Sequence, residues 1–317
     1  MNSIISLQSV SKSFRGKAAL SGVSLEVPEG VVFALLGENG AGKTTMIRIL
    51  TGALAPDVGT AEVLGLSCTK DGPEIRKSIG YVSDSPAMYE WMTVEEIGWF
   101  ASAFYDSTFP NRFRTSIHEF DVPVGVKLKN LSKGQRAKVA LALAIGHDPA
   151  LLVLDEPTSG LDPMVRRRFL ESMVDRAALG RSVFLSSHQI DEVERVADWI
   201  AILHEGELRL VRPLDELQRS VRILTATLDH ADAAVALPRG KVLTESRTGR
   251  QIRWVVCDLD QGWRDDFGSE SGVMNLVEQT PSLEEIFVAV CDRRAQRPEQ
   301  PSPEGVAPFK TSLQESA

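Results

Sequence analysis

The sequence predicts an α/β fold of strands interleaved with helices, carrying a helical insertion and a small C-terminal α+β appendage. Three observations carry this reading. Continuous apolar runs at residues 31–36 and 151–154 have the composition of strands buried on both faces, and 182–186 reads as a further buried strand. Each leads into a segment with helical spacing. After Pro213 the pattern changes to alternating, half-exposed runs and one capped helix.

Taken in order, residues 4–10 and 23–27 are short alternating runs around Arg15-Gly16-Lys17, an antiparallel pair joined by a turn. The strand at 31–36 is followed by a glycine-rich turn and a helix over 45–50. Residues 79–82 form another short strand. Thr93 and Glu96 have the spacing of a capping box, and the stretch up to about residue 146 is mostly helical in pattern. The insertion therefore spans about residues 86–148. Strands at 201–204 and 207–211 form a last hairpin around Glu205-Gly206 and complete a domain over 1–215. In the appendage, 216–292, residues 221–228 and 251–259 alternate like strands, and 282–292 resembles a capped helix. Residues 293–317 are rich in Pro, Gln, Glu and Ser and are expected to be disordered.

Composition narrows the function. The 317 residues carry a formal net charge of -8, which argues against a dedicated binder of nucleic acid or anionic lipid. Cys68, Cys257 and Cys291 are scattered and form no C-x-x-C pair, so neither a disulfide framework nor a structural zinc site is expected, and a reducing cytoplasm suits the chain. His118, His147, His204 and His230 lack metal-ligand spacing. No run approaches the roughly 20 apolar residues a spanning helix needs. Residues 1–10 lack the basic start and apolar block of a signal peptide. Work at a membrane would require recruitment by a partner.

The chemistry lies in two motifs. Gly37-Glu38-Asn39-Gly40-Ala41-Gly42-Lys43-Thr44 fits the phosphate-loop pattern G-x-x-x-x-G-K-[ST], between a buried strand and a helix that Thr45 continues. The glycines let successive N–H groups face one anion, and the helix presents its positive end to the same phosphates. Lys43 is expected to reach the β- and γ-phosphates, and the Thr44 hydroxyl to bind Mg²⁺. Downstream, the strand at 151–154 ends in Asp155-Glu156, at the sheet edge where ligands of open α/β folds sit. Asp155 would hold Mg²⁺ directly or through water, and Glu156 would polarise the attacking water as general base.

Leu131-Ser132-Lys133-Gly134-Gln135 resembles the signature L-S-G-G-Q of ATP-binding-cassette (ABC) proteins. Ser159-Gly160-Leu161-Asp162 matches that family's D-loop, and His188 stands where its switch histidine follows the next strand. The resemblance covers about residues 3–215, with the motifs in the family's order, and is to the ATP-binding subunits of ABC transporters, in the exporter-like branch with a separate permease. It implies a P-loop NTPase cassette with an N-terminal antiparallel β subdomain, ATP and Mg²⁺ as ligands, and hydrolysis coupled to transport. It also implies a head-to-tail dimer, homomeric or heteromeric, and an integral membrane permease on a separate chain, which would hold this chain at the cytoplasmic face. Residues 37–45 would bind nucleotide. Ser132, Gly134 and Gln135 would serve the nucleotide of the opposite subunit, His188 would hold the γ-phosphate and orient Glu156, and Phe14 would stack on adenine. Read from the residues alone, Ser132 is a good helix cap and Phe14 equally a core aromatic.

Two positions depart from the family's pattern. Lys133 replaces the first signature glycine, and Asp84 stands where a glutamine touches Mg²⁺ or the lytic water. A carboxylate still suits a hard cation. Met88, Tyr89, Trp91 and Trp99 belong either to the core of the insertion or to a surface that faces a partner. Arg166-Arg167-Arg168 reads as a solvated helix face. A DNA-repair ATPase would carry a long coiled-coil or zinc-bearing insertion, and a translation-associated member two cassettes; the alternative kept is a soluble ABC-type ATPase with a nontransport regulatory role.

Overall fold

The computed structural model describes residues 3–233, 235–260, 262–264 and 272–292; the tail expected at 293–317 lies outside them. β1 (Ser3–Phe14) and β2 (Lys17–Pro28) form the first antiparallel pair. Both are longer than their apolar runs, because residues 11–14 and 17–22 are largely solvent-facing and carry no apolar alternation. Phe14 faces Lys17 across a two-residue turn in which Arg15 and Gly16 have φ of 49° and 82°. Positive φ at both central positions gives a turn whose twist matches that of the strands.

β3 (Val32–Leu36) is followed by α1 (Lys43–Leu50), β4 (Val58–Val63), β5 (Leu66–Ser67), α2 (Gly72–Ser78) and β6 (Ile79–Val82). The first sheet runs in the order β2-β1-β4-β5. In the insertion, Thr93 caps α3 (Val94–Ser102): its hydroxyl accepts from Glu96 N–H at 3.1 Å, and the Glu96 carboxylate accepts from Thr93 N–H at 2.7 Å. α4 (Phe109–Glu119) crosses α3 where Gly98 lies; a Cβ there would fall 2.2 Å from the Phe113 ring. α5 (Lys133–Ile145) closes a core built on Val94, Ile97, Phe109, Phe113 and Val139.

β7 (Leu151–Asp155), α6 (Pro163–Ala178), β8 (Ser182–Ser187), α7 (Ile190–Val196), β9 (Trp199–His204) and β10 (Glu207–Pro213) complete the cassette. The second sheet has the order β10-β9-β3-β8-β7-β6, and only β10 is antiparallel to its neighbour. Every residue of β3, β7 and β8 is buried. Alternate β3 side chains enter different cores: Phe33 and Leu35 pack with Met46 and Ile47 of α1, whereas Ala34 and Leu36 pack with Val193 of α7 and Ile202 of β9. That two-sided burial fixes where β3, β7 and β8 end, and the site is built from those ends.

The third sheet has the order β12-β13-β11-β14, from β11 (Val221–Leu228), β12 (Lys241–Thr248), β13 (Gln251–Cys257) and β14 (Val273–Gln279). α8 (Leu214–Ser220) precedes it and runs across residue 215, and α9 (Leu283–Cys291), capped by Ser282, follows it. Leu217, Leu283 and Ile286 from these helices join Leu36, Val193 and Ile202 in one hydrophobic core. The appendage is thus packed against the cassette rather than tethered to it. No helix among the described residues is long and apolar enough to cross a membrane.

Candidate active site

The phosphate-loop segment leaves the end of β3 and enters α1. Gly42 has φ of 112°, and a Cβ on it would fall 2.5 Å from the Ala19 carbonyl; one on Gly37 would fall 2.5 Å from that of Leu203. Only glycine lets the chain pass there. No side chain caps α1 and no acid lies in its first turn. Its leading N–H groups therefore face the cleft with the positive end of the helix dipole.

Lys43 is 6 % exposed. Its Nζ donates to the carbonyl oxygens of Gly37 (2.7 Å) and Glu38 (3.2 Å) and lies 3.0 Å from Glu156 Oε1. The other carboxylate oxygen of Glu156 is 2.7 Å from His188 Nδ1 and accepts weakly from the His188 N–H at 3.4 Å. Glu156 thus bridges the phosphate-loop lysine and the histidine after β8. Its backbone has φ of 49°, unusual for a residue with a side chain, and its N–H is held by Ser186 through the carbonyl at 3.2 Å and the hydroxyl at 3.1 Å.

Asp155 is 3 % exposed, and its Oδ1 accepts from Ser186 Oγ at 2.7 Å. Asp84 is exposed and lines, with Asn39, Thr44, Thr45 and Glu156, a cleft of about 280 Å³ over the loop. No group of three or more His, Cys, Asp or Glu side chains arranged to hold a metal occurs among the described residues. Oxygen donors, the Thr44 hydroxyl and the Asp84 carboxylate at the cleft and the Asp155 carboxylate at the end of β7, suit a hard divalent cation held together with substrate phosphates. The uncapped helix end, the buried lysine and the tight glycines fit a polyphosphate.

The signature residues lie elsewhere. Ser132 caps α5, accepting from Gln135 N–H at 3.2 Å, while Gln135 Oε1 accepts from Ser132 N–H at 3.0 Å. Ser132 is exposed, and neither it nor Gly134 or Gln135 lines the cleft. Phe14, 46 % exposed with Lys12 Nζ 5.7 Å from its ring centre, also stands outside the cleft lining.

Residues 20–159 match the family model described as ABC transporter. The Nod factor export ATP-binding protein I of Rhizobium sp. (strain N33) is 33% identical over 301 residues, which are 92% of this chain and 98% of that protein. The chain belongs to the ABC transporter ATP-binding proteins. It is also 38% identical over 207 residues to an ABC transporter ATP-binding protein of Nostoc sp., an overlap of 63% of this chain and 61% of that one. A solved ATP binding subunit of an ABC transporter superposes with a TM-score of 0.63 at 31% identity, covering 68% of this chain and 92% of that one. As an ABC transporter ATP-binding subunit, the chain binds and hydrolyses ATP to energise transport.

Against the ABC pattern, Lys133 lies across the D-loop: a Cβ on Gly160 would fall 2.6 Å from its Nζ. The large side chains of the insertion divide. Tyr89, Trp91 and Trp99 are 51%, 64% and 75% exposed, while Met88 packs on the helical core. The three aromatics thus lie at the surface and not in the core. The expected solvated run at 166–168 needs a correction at its first residue: Arg166 Nε pairs with the buried Glu192 of α7 at 2.9 Å, whereas Arg167 pairs with Glu171 at the surface. Sequence reasoning missed Ser186, although two serines closing an otherwise apolar strand were a readable signal. It also missed Thr158 and Glu192, whose pairing spans a long stretch of chain and leaves no local sign.

Proposed function

We propose that the cleft at the end of β3 performs Mg²⁺-dependent ATP hydrolysis, with Glu156 as general base. The observation that carries this reading is the Glu156 carboxylate itself, held 3.0 Å from Lys43 Nζ and 2.7 Å from His188 Nδ1 at the mouth of the phosphate loop. Residues 37–45 cradle the β- and γ-phosphates through backbone N–H groups and the Lys43 ammonium. Thr44 and Asp155 would hold Mg²⁺, with Asp84 at the cleft as a further oxygen ligand, and the bound ion would supply charge neutralisation at the phosphate oxygens. Glu156 accepts the proton of the attacking water as the water oxygen bonds to the γ-phosphorus and the bond to the β-γ bridging oxygen breaks. His188 orients Glu156 and contacts the γ-phosphate. Phe14, exposed at the tip of the first hairpin, stacks on adenine.

The proposal includes a composite site, as in the family. Ser132, Gly134 and Gln135, which lie outside their own cleft, serve the nucleotide of a second subunit, identical or related, in a head-to-tail dimer. The partner in the membrane is a permease on a separate chain. It docks on an apolar groove of about 560 Å³ whose lining includes Met88, Tyr89, Phe100 and Phe104, and so holds the ATPase at the cytoplasmic face. The Nod factor export relatives support an exporter-like role. Residues 216–292 act as an appendage packed on the cassette.

Glu156→Gln keeps shape and hydrogen bonding but accepts no proton. We expect ATP to bind with near-normal affinity while turnover falls about 10²- to 10⁴-fold. Near-normal turnover in this variant would move the base elsewhere.

A further inference from the structure

Glu192 is a carboxylate that the hydrolytic chemistry does not use, yet it is buried, at 7 % exposure, on α7. Its Oε2 accepts from Thr158 Oγ1 at 2.5 Å, and its Oε1 lies 2.9 Å from Arg166 Nε. Each partner belongs to a different piece of the catalytic surroundings. Thr158 is 2 % exposed and sits in the turn after Glu156, where Ser159 N–H donates to the Glu156 carbonyl at 3.1 Å. Arg166 lies on α6 and donates through its Nη2 to the Leu161 carbonyl at 3.3 Å, inside the D-loop. Glu192 itself lies on α7, the helix that the His188-Gln189 segment leads into.

We infer that Glu192 is a positioning residue that locks the His188 segment to the turn carrying Glu156 and to the D-loop. The physical reason lies in what else connects these pieces. β7 and β8 pair in parallel up to Asp155 and Ser186, where the strand pairing ends, and the Glu156 N–H bonds to Ser186 are the last backbone ties. Past that point Glu156 and His188 meet side chain to side chain at 2.7 Å, with His188 41 % exposed. A histidine on an exposed loop holds a carboxylate in one geometry only if its loop is fixed from beneath. The Thr158–Glu192 bond supplies that fixture, and the Arg166 pair compensates the buried charge. Because the same carboxylate also reaches the D-loop through Arg166, movement of the D-loop is transmitted to the Glu156–His188 pair.

The inference rests on the catalytic roles proposed for Glu156 and His188, so the experiment separates the two. ATP turnover, ATP affinity and thermal stability are measured for the full chain and for Glu192→Gln, Thr158→Val, His188→Ala and the double variant Glu192→Gln/His188→Ala. Glu192→Gln keeps an acceptor for Thr158 but loses the ion pair that fixes it, and is expected to lower kcat about tenfold with ATP affinity and melting temperature close to the parent. Thr158→Val is expected to act in the same direction, and it carries the test if Glu192→Gln folds poorly. In the His188→Ala background the Glu192 change should alter kcat less than about twofold, because its route of action is already gone. A structural defect unconnected with His188 would lower kcat by the same factor in both backgrounds, and that result overturns the inference. So does parental kcat in both Glu192→Gln and Thr158→Val while His188→Ala is impaired. Full activity of His188→Ala would overturn the assigned role of His188 itself, and the positioning role with it.

Discussion

Two helices of this chain begin beside functional motifs, and they begin differently. α1 has no side-chain cap, starts from a glycine with φ of 112°, and opens into a cleft. α5 is closed by the reciprocal Ser132–Gln135 box and starts in solvent. The first leaves several backbone donors for a ligand, and so suits a polyphosphate. The second ties up the N–H groups of Ser132 and Gln135 in its own box. It still keeps something to offer: the Ser132 hydroxyl accepts from Gln135 N–H, and its own O–H remains able to donate outward. On the proposed reading, the contrast is between an end that binds a nucleotide and an end that completes the site of a second subunit.

Breaking the first end should have the largest effect. Lys43→Ala removes the buried ammonium among the Gly37 and Glu38 carbonyls and Glu156. We expect hydrolysis to drop by roughly three orders of magnitude, as when a preorganised charge is lost from a phosphoryl-transfer site. ATP affinity should weaken strongly, with the circular dichroism of the parent preserved. Parental titration and turnover would contradict the binding role of α1.

The second comparison is between the exposed aromatics of the insertion and the packed ones beneath them. Tyr89 and Trp91 have ring centres 6.1 Å apart and both stand in solvent, whereas Phe109 and Phe113 are buried. Replacing Tyr89 and Trp91 with alanine should release the protein from membranes in cells that co-express its permease, while basal ATPase in solution changes by less than about twofold. Unchanged membrane fractionation would remove these residues from the interface. Capture of no membrane protein in the native cell would favour a soluble, nontransport ATPase.

How much of this was legible in the sequence follows from how local each feature is. The phosphate loop, the Thr93–Glu96 box, the Ser282 cap and the burial of β3, β7 and β8 are written in contiguous residues, and each stands where the sequence placed it. β12 and β14 were not foreseen: they are the edges of the third sheet, are mostly exposed, and carry no apolar alternation. The sequence left Trp91 and Trp99 open between core and surface, because a large side chain at helical spacing serves either. Arg166 was misread for a different reason: its partner Glu192 comes from α7, and no pattern within the arginine run announces it.

A smaller effect concerns His147, stacked on Tyr105 at 4.3 Å between ring centres. Burial is the main cause that lowers its pKa below the ordinary 6.5. The unfolded chain therefore takes up this proton at a higher pH than the folded one. Stability associated with His147 is complete above about 6.5 and is lost as pH falls through that value toward the lowered folded one. Melting temperatures at about pH 7.5 and about pH 5.5 should differ less in His147→Phe than in the parent. An equal difference in both would place the acid sensitivity elsewhere.

The contrast between the two helix ends reduces to one claim, that α1 and α5 serve the same nucleotide from opposite subunits. Ser132→Arg and Lys43→Ala each spoil one half of a composite site. If the chain forms homodimers, mixing the two inactive variants rebuilds one intact site per heterodimer and returns ATPase activity above that of either alone. Activity that stays at the level of the separate variants although heterodimers form, or full ATPase from a protein shown to be monomeric during turnover, would contradict it.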